Sequence, residues 1–106
     1  MRQITPVELS QRLQRGDSKP LLLDVRERHE FKYCHIEGSV HMPMDQVFAG
    51  VNELDPERET VVICHHGLRS AQVANFLIGQ GFRKVLNLQG GVAAWANDVD
   101  RQMPTY

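Results

Sequence analysis

The sequence predicts an α/β fold: a small unit with a central, mostly parallel five-stranded sheet flanked by helices on both faces. Three observations lead there. The short apolar runs Leu21-Leu22-Leu23 and Thr60-Val61-Val62-Ile63 have the length and composition of strands buried on both faces. Segments with the apolar spacing of an amphipathic helix follow such runs, as in Ala71-Gln72-Val73-Ala74-Asn75-Phe76-Leu77-Ile78. Strand and helix signals then alternate along the whole chain, which is the pattern of parallel strands joined by helical crossovers.

Each element has its own warrant. Arg2-Gln3-Ile4 is a short strand, and Thr5 or Pro6 opens a helix with Val7, Leu9 and Leu13 on one side, ended at Gly16. Leu21 to Asp24 follows Pro20 as a buried strand, and Glu27 to Tyr33 is a brief helix. Ser39 to His41 is a strand stopped by Pro43, and Met44 to Leu54 is helical up to Asp55-Pro56. Thr60 to Ile63 is a strand, Ser70 to Gln80 a helix closed by Gly81, and Lys84 to Asn87 the next strand. Gly90-Gly91 turns the chain into a last helix holding Val92 and Trp95. Trp95 belongs to the core or to the edge of a pocket wall.

The 106 residues, with no linker, repeat or low-complexity tract, are read as one domain spanning 1–106. With 42% hydrophobic and 24% charged residues and a net charge of −1, the chain has no basic stripe, so a nucleic-acid partner is not expected. No segment approaches the ~20 apolar residues that span a bilayer, so no membrane partner is expected either. Met1 to Pro6 lacks the apolar run of a signal peptide. The two cysteines, Cys34 and Cys64, are too few for a disulfide scaffold, and both are expected as reduced thiols in a cytoplasm.

The chemistry concentrates in Cys64-His65-His66-Gly67-Leu68-Arg69-Ser70. A thiol stands at the carboxyl end of a strand, in a turn that opens a helix, where open α/β folds keep their ligand sites. The N–H groups of that turn have no helical partners and can face an anion, and with the helix dipole they stabilise a thiolate. Alone, a cysteine ending a buried strand is commonly just a small hydrophobe. Its neighbours alter that weighing: Gly67 permits a tight loop with positive φ, Arg69 supplies a fixed cation and Ser70 can cap the helix.

Three ordered segments resemble the rhodanese-like domain family, in its single-domain thiosulfate sulfurtransferase type. The first is Leu22-Leu23-Asp24-Val25-Arg26 with Glu30-Phe31, then His35-Ile36-Glu37-Gly38-Ser39 and Pro43. The second is the Cys64 loop. The third is Gly81-Phe82, Val85, Leu88, Gly90-Gly91 and Trp95. The resemblance implies a small α/β domain that moves sulfane sulfur through a Cys64 persulfide, without metal or organic cofactor. The implied partners are a small donor such as thiosulfate and a thiophilic acceptor: cyanide in the assay, a thiol in cells, including a protein thiol such as that of a thioredoxin. A related reading is a sulfur-relay or docking module with little turnover on thiosulfate.

On this resemblance Arg69 anchors the sulfonate end of thiosulfate. His65, His66, Gly67, Leu68 and Ser70 line the loop that cradles the persulfide, the two histidines through backbone N–H groups more than through their rings. Cysteine-dependent phosphatases carry Cys-x5-Arg, whereas this chain carries Cys-x4-Arg followed by Ser70. The shorter loop suits a sulfur atom better than a tetrahedral phosphate. Asp24, at a strand's carboxyl end, is expected to accept hydrogen bonds from the loop, and Arg26 to pair with Glu30 at i,i+4, both as loop support. Cys34 departs from the glycine usual before His-Ile; if that position needs positive φ, it costs about 1 kcal/mol. It also raises the idea of a resolving thiol for Cys64. His29, His35 and His41 recur every six residues, a period that suits neither helix nor strand, so no metal site is expected.

Overall fold

The computed structural model describes residues 1–16 and 19–106. Among these, β1 (Arg2–Ile4), β2 (Leu21–Asp24), β3 (Val40–His41), β4 (Thr60–Ile63) and β5 (Val85–Leu88) form one sheet in the order β1-β5-β4-β2-β3. Every neighbouring pair is parallel. The helices are α1 (Pro6–Arg15), α2 (Arg28–Tyr33), α3 (Met44–Ala49), α4 (Leu68–Gly79) and α5 (Gly91–Asp98). The expected α/β architecture with its five-stranded parallel sheet is therefore present.

Two-residue alternation sorts the strand side chains onto two buried faces. Val61 and Ile63 of β4 join Leu9 of α1 and Val92, Trp95 and Ala96 of α5 in one cluster. Val62 and the following Cys64 join Val47 of α3 and Val73, Ala74 and Leu77 of α4 in the other. Trp95 is thus core. Local chemistry sets the helix starts: at α1, Thr5 Oγ accepts from the Glu8 N–H at 3.1 Å while the Glu8 carboxylate accepts from the Thr5 N–H at 2.9 Å. Such a reciprocal cap is worth about 1 kcal/mol.

One predicted helix is divided. Residues 44–54 were expected to be continuous, yet α3 ends at Ala49 and Val51–Glu53 is a separate 3₁₀ turn. Gly50, a poor helix former, stands at the break, and the Glu53 N–H bonds to the Gly50 carbonyl at 2.9 Å, the tighter 3₁₀ pattern.

The strand order places the functional end. From β2 the chain moves outward to β3, and from β4 it moves the other way to β5. The carboxyl ends of β2 and β4 therefore flank the point where the connections diverge, the usual crevice of open α/β sheets. Asp24 pairs with Ile63 across these strands, and the Val25 N–H bonds to the Ile63 carbonyl at 2.9 Å. Asp24-Val25-Arg26 is thereby set beside the loop that begins at Cys64.

Candidate active site

The Cys64 loop is held from behind and open in front. The Cys64 and His65 carbonyls accept from the Val92 and Ala93 N–H groups of α5, at 2.9 and 3.0 Å. This seam needs glycine at position 91: a Cβ there would stand 2.3 Å from the Cys64 carbonyl oxygen and 2.4 Å from that of His65. With its carbonyls turned to α5, the loop turns an N–H toward the thiol: Gly67 N donates to Cys64 Sγ at 3.0 Å. Gly67 manages this at φ 102°, in the left-handed region that a side chain would strain.

Helix α4 starts at Leu68 with Gly67 as its N-cap, two residues earlier than predicted. Ser70 therefore lies inside the first turn and is not the cap. Its hydroxyl sits 3.2 Å from Cys64 Sγ and donates to Asn87 Oδ1 of β5. Asn87 Nδ2 donates in turn to the Gly67 carbonyl at 3.2 Å and to Gln3 Oε1 at 3.1 Å, so its amide orientation is set by two acceptors. The sulfur thus sits in a closed ring of hydrogen bonds through Gly67, Ser70 and Asn87. Asn87 was missed in the sequence; the signal was a lone amide inside the apolar strand Val85-Leu86-Asn87-Leu88, where burial demands partners.

Arg69 is engaged in a bidentate pair with Glu30, Nη1 to Oε1 at 2.7 Å and Nη2 to Oε2 at 2.9 Å. This overturns the expected Arg26–Glu30 pair. Arg26 reaches only the Glu30 main-chain carbonyl, at 3.3 Å, because its guanidinium is taken by Asp24, with Nη2 to Oδ2 at 2.7 Å and Nε to Oδ1 at 2.9 Å. Asp24 is corrected for the same reason: its carboxylate accepts from the Arg26 side chain and from the Arg26 N–H at 3.1 Å, and not from the Cys64 loop. Both residues brace the site at one remove, since Arg26 Nη2 also bonds the Cys34 carbonyl at 2.6 Å.

Glu30 gathers four donors: both Arg69 Nη groups, the Glu27 N–H at 2.9 Å and the Tyr106 hydroxyl at 2.9 Å. Arg69 above all holds its carboxyl down to about 2. Glu30 in turn raises Arg69 above the usual arginine range. Burial, then the neighbouring His66, pushes His65 below the usual histidine range, so its ring is neutral near pH 7. Leu68, 80% exposed, stands at the mouth. The predicted loop residues are all brought to one end of the sheet. Tyr106 joins them from a distant part of the chain, and no local pattern in the sequence announces it.

Cys34 lies elsewhere. Its backbone is extended at φ −161°, so the feared strain at this position is absent. Its sulfur packs in the cluster on the α1 and α5 side of the sheet, while Cys64 packs in the other, and both are free thiols. His35 and His41 stack on either side of Phe31, at 4.0 and 4.6 Å between ring centroids, and each bonds a main-chain carbonyl at 2.8 Å. A cleft of about 730 Å³ is lined by Arg2, Glu59 and Lys84 at the opposite ends of the strands, and neither cysteine lines it. No helix among the described residues is long and apolar enough to cross a membrane.

Arranged this way, the loop can present one sulfur to an anion, with the Gly67 N–H donating to it, the Ser70 hydroxyl beside it and a guanidinium nearby. Known proteins are similar to this chain in sequence and in fold. The rhodanese-like domain family matches residues 5–98. The Putative sulfur carrier protein YrkF of Bacillus subtilis is 39% identical over 85 residues, which cover 80% of this chain and 46% of that protein. Thiosulfate sulfurtransferase GlpE of Haemophilus influenzae is 35% identical over 95 residues, covering 89% of this chain and 87% of GlpE. The chain thus spans under half of the first relative and most of the second. A rhodanese-like domain protein from Staphylococcus aureus superposes with a TM-score of 0.83 at 30% identity, over 100% of this chain and 99% of that one. The resemblance read from the three sequence segments holds, and the chain belongs to the rhodanese-like domain family.

Proposed function

We propose that this chain is a sulfurtransferase whose nucleophile is Cys64. The Cys64 thiolate attacks the outer sulfur of a donor such as thiosulfate; an S–S bond forms to the enzyme, the donor's S–S bond breaks, and sulfite leaves with the electron pair. The persulfide's outer sulfur is then taken by cyanide or a thiol, a protein thiol such as a thioredoxin's included, and the thiolate is regenerated. The observation that carries this reading is the buried Sγ with the Gly67 N–H at 3.0 Å and the Ser70 hydroxyl at 3.2 Å. An N–H donor so placed in a short loop suits a sulfur anion and a small cradle better than a phosphate. Arg69, charged and oriented by Glu30, binds the anionic end of the donor, and His65, His66, Gly67 and Leu68 shape the loop around the persulfide. On this reading residues 1–106 act as one unit in the cytoplasm, with no resident cofactor.

A relay or docking role is the second reading, favoured by the YrkF relative and by Leu68, 80% exposed beside the nucleophile. The test is intact mass after brief thiosulfate exposure. A gain of one sulfur atom that cyanide removes, absent in Cys64→Ala, is expected. No gain on a thiol shown free by alkylation would overturn thiosulfate as donor and favour relay.

A further inference from the structure

The segment from Met103 to Tyr106 folds back over the Cys64 loop, and its last residue makes contacts that packing alone does not require. The Tyr106 ring lies parallel to His65, with centroids 3.9 Å apart and planes 8° from parallel. His66 stands against the same imidazole at 3.9 Å. Tyr33 meets Tyr106 edge-on at 5.8 Å and donates its hydroxyl to the Thr105 carbonyl at 3.1 Å, pinning the segment. A small, partly open cavity of about 60 Å³ lies between Pro104, Thr105, Tyr106, His65, Val92 and Ala93.

The hydroxyl is the informative group. It accepts from Arg26 Nη1 at 2.8 Å and donates to Glu30 Oε2 at 2.9 Å. It thereby joins two ion pairs that, among the described residues, are otherwise linked only through the Glu30 main-chain carbonyl: Asp24–Arg26, and Glu30–Arg69 at the mouth. Burial raises Tyr106 to about 12, so the phenol keeps its proton and remains a donor to Glu30 throughout the neutral range. Among the described residues Glu30 carries the only carboxylate bonded to Arg69, and without this donor one of its oxygens is held by Arg69 alone.

We propose that Tyr106 is a positioning residue for the Cys64 site: its hydroxyl fixes the Glu30–Arg69 pair that receives the anionic end of the sulfur donor, and its ring clamps His65. This rests on the reading of Arg69 as donor anchor. The consequence is a defect in donor binding rather than in sulfur transfer, because Tyr106 touches neither Cys64 nor the atoms that exchange.

The experiment compares wild type with Tyr106→Phe, which keeps the stack and loses the hydroxyl, and with Tyr106→Ala. Steady-state rates with thiosulfate and cyanide separate KM from kcat. Loss of one charge-assisted bond predicts a KM for thiosulfate raised about three- to tenfold in Tyr106→Phe, with kcat within about twofold, and a larger rise in Tyr106→Ala. Alkylation of Cys64 by anionic iodoacetate against neutral iodoacetamide, resolved by peptide mass, reads the placed cation without any sulfur chemistry. The iodoacetate preference is expected to fall in Tyr106→Phe toward its value in Arg69→Gln. A purely structural role would lower Tm and leave both readouts at wild-type values, which would overturn the proposal, as would a kcat loss at unchanged KM. If wild type takes no sulfur from thiosulfate, the functional reading fails separately, and the alkylation ratio alone decides the role of Tyr106.

Discussion

Two arginines, each paired with a carboxylate, stand within one network and are built for different ends. Arg26 and Asp24 are 0% exposed, and the Arg26 guanidinium spends its donors on Asp24, the Glu30 and Cys34 carbonyls and the Tyr106 hydroxyl. Arg69 has 35% of its side chain exposed, against 9% for its partner Glu30. Arg26 is tied into main chain within α2, at Glu30, and at its C-cap, Cys34, and holds that end of the sheet together. Arg69 is held by one carboxylate on one edge and is partly open to solvent. The contrast teaches that a saturated buried guanidinium is a brace, while one that is oriented yet exposed is available to a ligand.

The comparison is broken most severely by removing the brace. Arg26→Ala leaves the Asp24 carboxylate buried without its counter-ion, and a loss of about 3–5 kcal/mol is expected in urea unfolding. Arg26→Lys, which cannot reproduce the fork, should recover only part of it. A loss below about 1 kcal/mol would show the pair to be dispensable.

Glu30→Gln sharpens the other pair through pH. The Glu30 carboxyl is lowered from 4.5 to about 2 by Arg69, so its stabilisation is present above about pH 4.5 and is lost as pH falls through about 2. The shift corresponds to up to about 3 kcal/mol. The gap in unfolding free energy between wild type and Glu30→Gln should be largest near neutrality and close between pH 4.5 and 2; a gap independent of pH would remove the ion pair as its cause.

Arg69→Ala should differ from Arg26→Ala: about 2 kcal/mol of stability, within the amount carried by the Glu30 shift, but a KM for thiosulfate raised about tenfold, equal to about 1.4 kcal/mol of binding. Equal destabilisation by the two arginine variants would erase the distinction. The smallest effect is expected at Cys34, which touches Arg26 Nη1 at 3.8 Å and not the pocket. Cys34→Ala should cost about 1 kcal/mol or less and leave sulfur loading of Cys64 unchanged by mass; a slowed transfer would revive a resolving role.

Much of this site was legible in the sequence. Thr60 to Ile63 read as a buried strand because its apolar residues run unbroken, and Cys64 to Ser70 read as a loop opening a helix because Gly67 and the amphipathic run beyond it mark the turn. Pairing was legible only locally. The i,i+4 spacing suggested Arg26–Glu30, but the partners chosen for Glu30 are Arg69, 39 residues away, and Tyr106, 76 residues away. Ser70 suggested a cap because hydroxyls favour that place. Gly67 took the cap instead, and the Ser70 hydroxyl was drawn to the sulfur and Asn87.

What the sequence by itself determined was therefore the order of strands and helices, the two-sided burial of β2 and β4, and the place of Cys64 in a loop between a strand and a helix, since period, turn residues and loop length are properties of neighbours along the chain. Only the tertiary structure decided which carboxylate serves which arginine, that Asn87 closes the ring around Cys64, that Cys34 rests unstrained on the far face of the sheet, and that Tyr106 reaches the mouth. The physical reason is that buried charges and hydrogen-bond donors select partners by distance in the folded chain, and the parallel crossovers bring together groups that no local pattern relates.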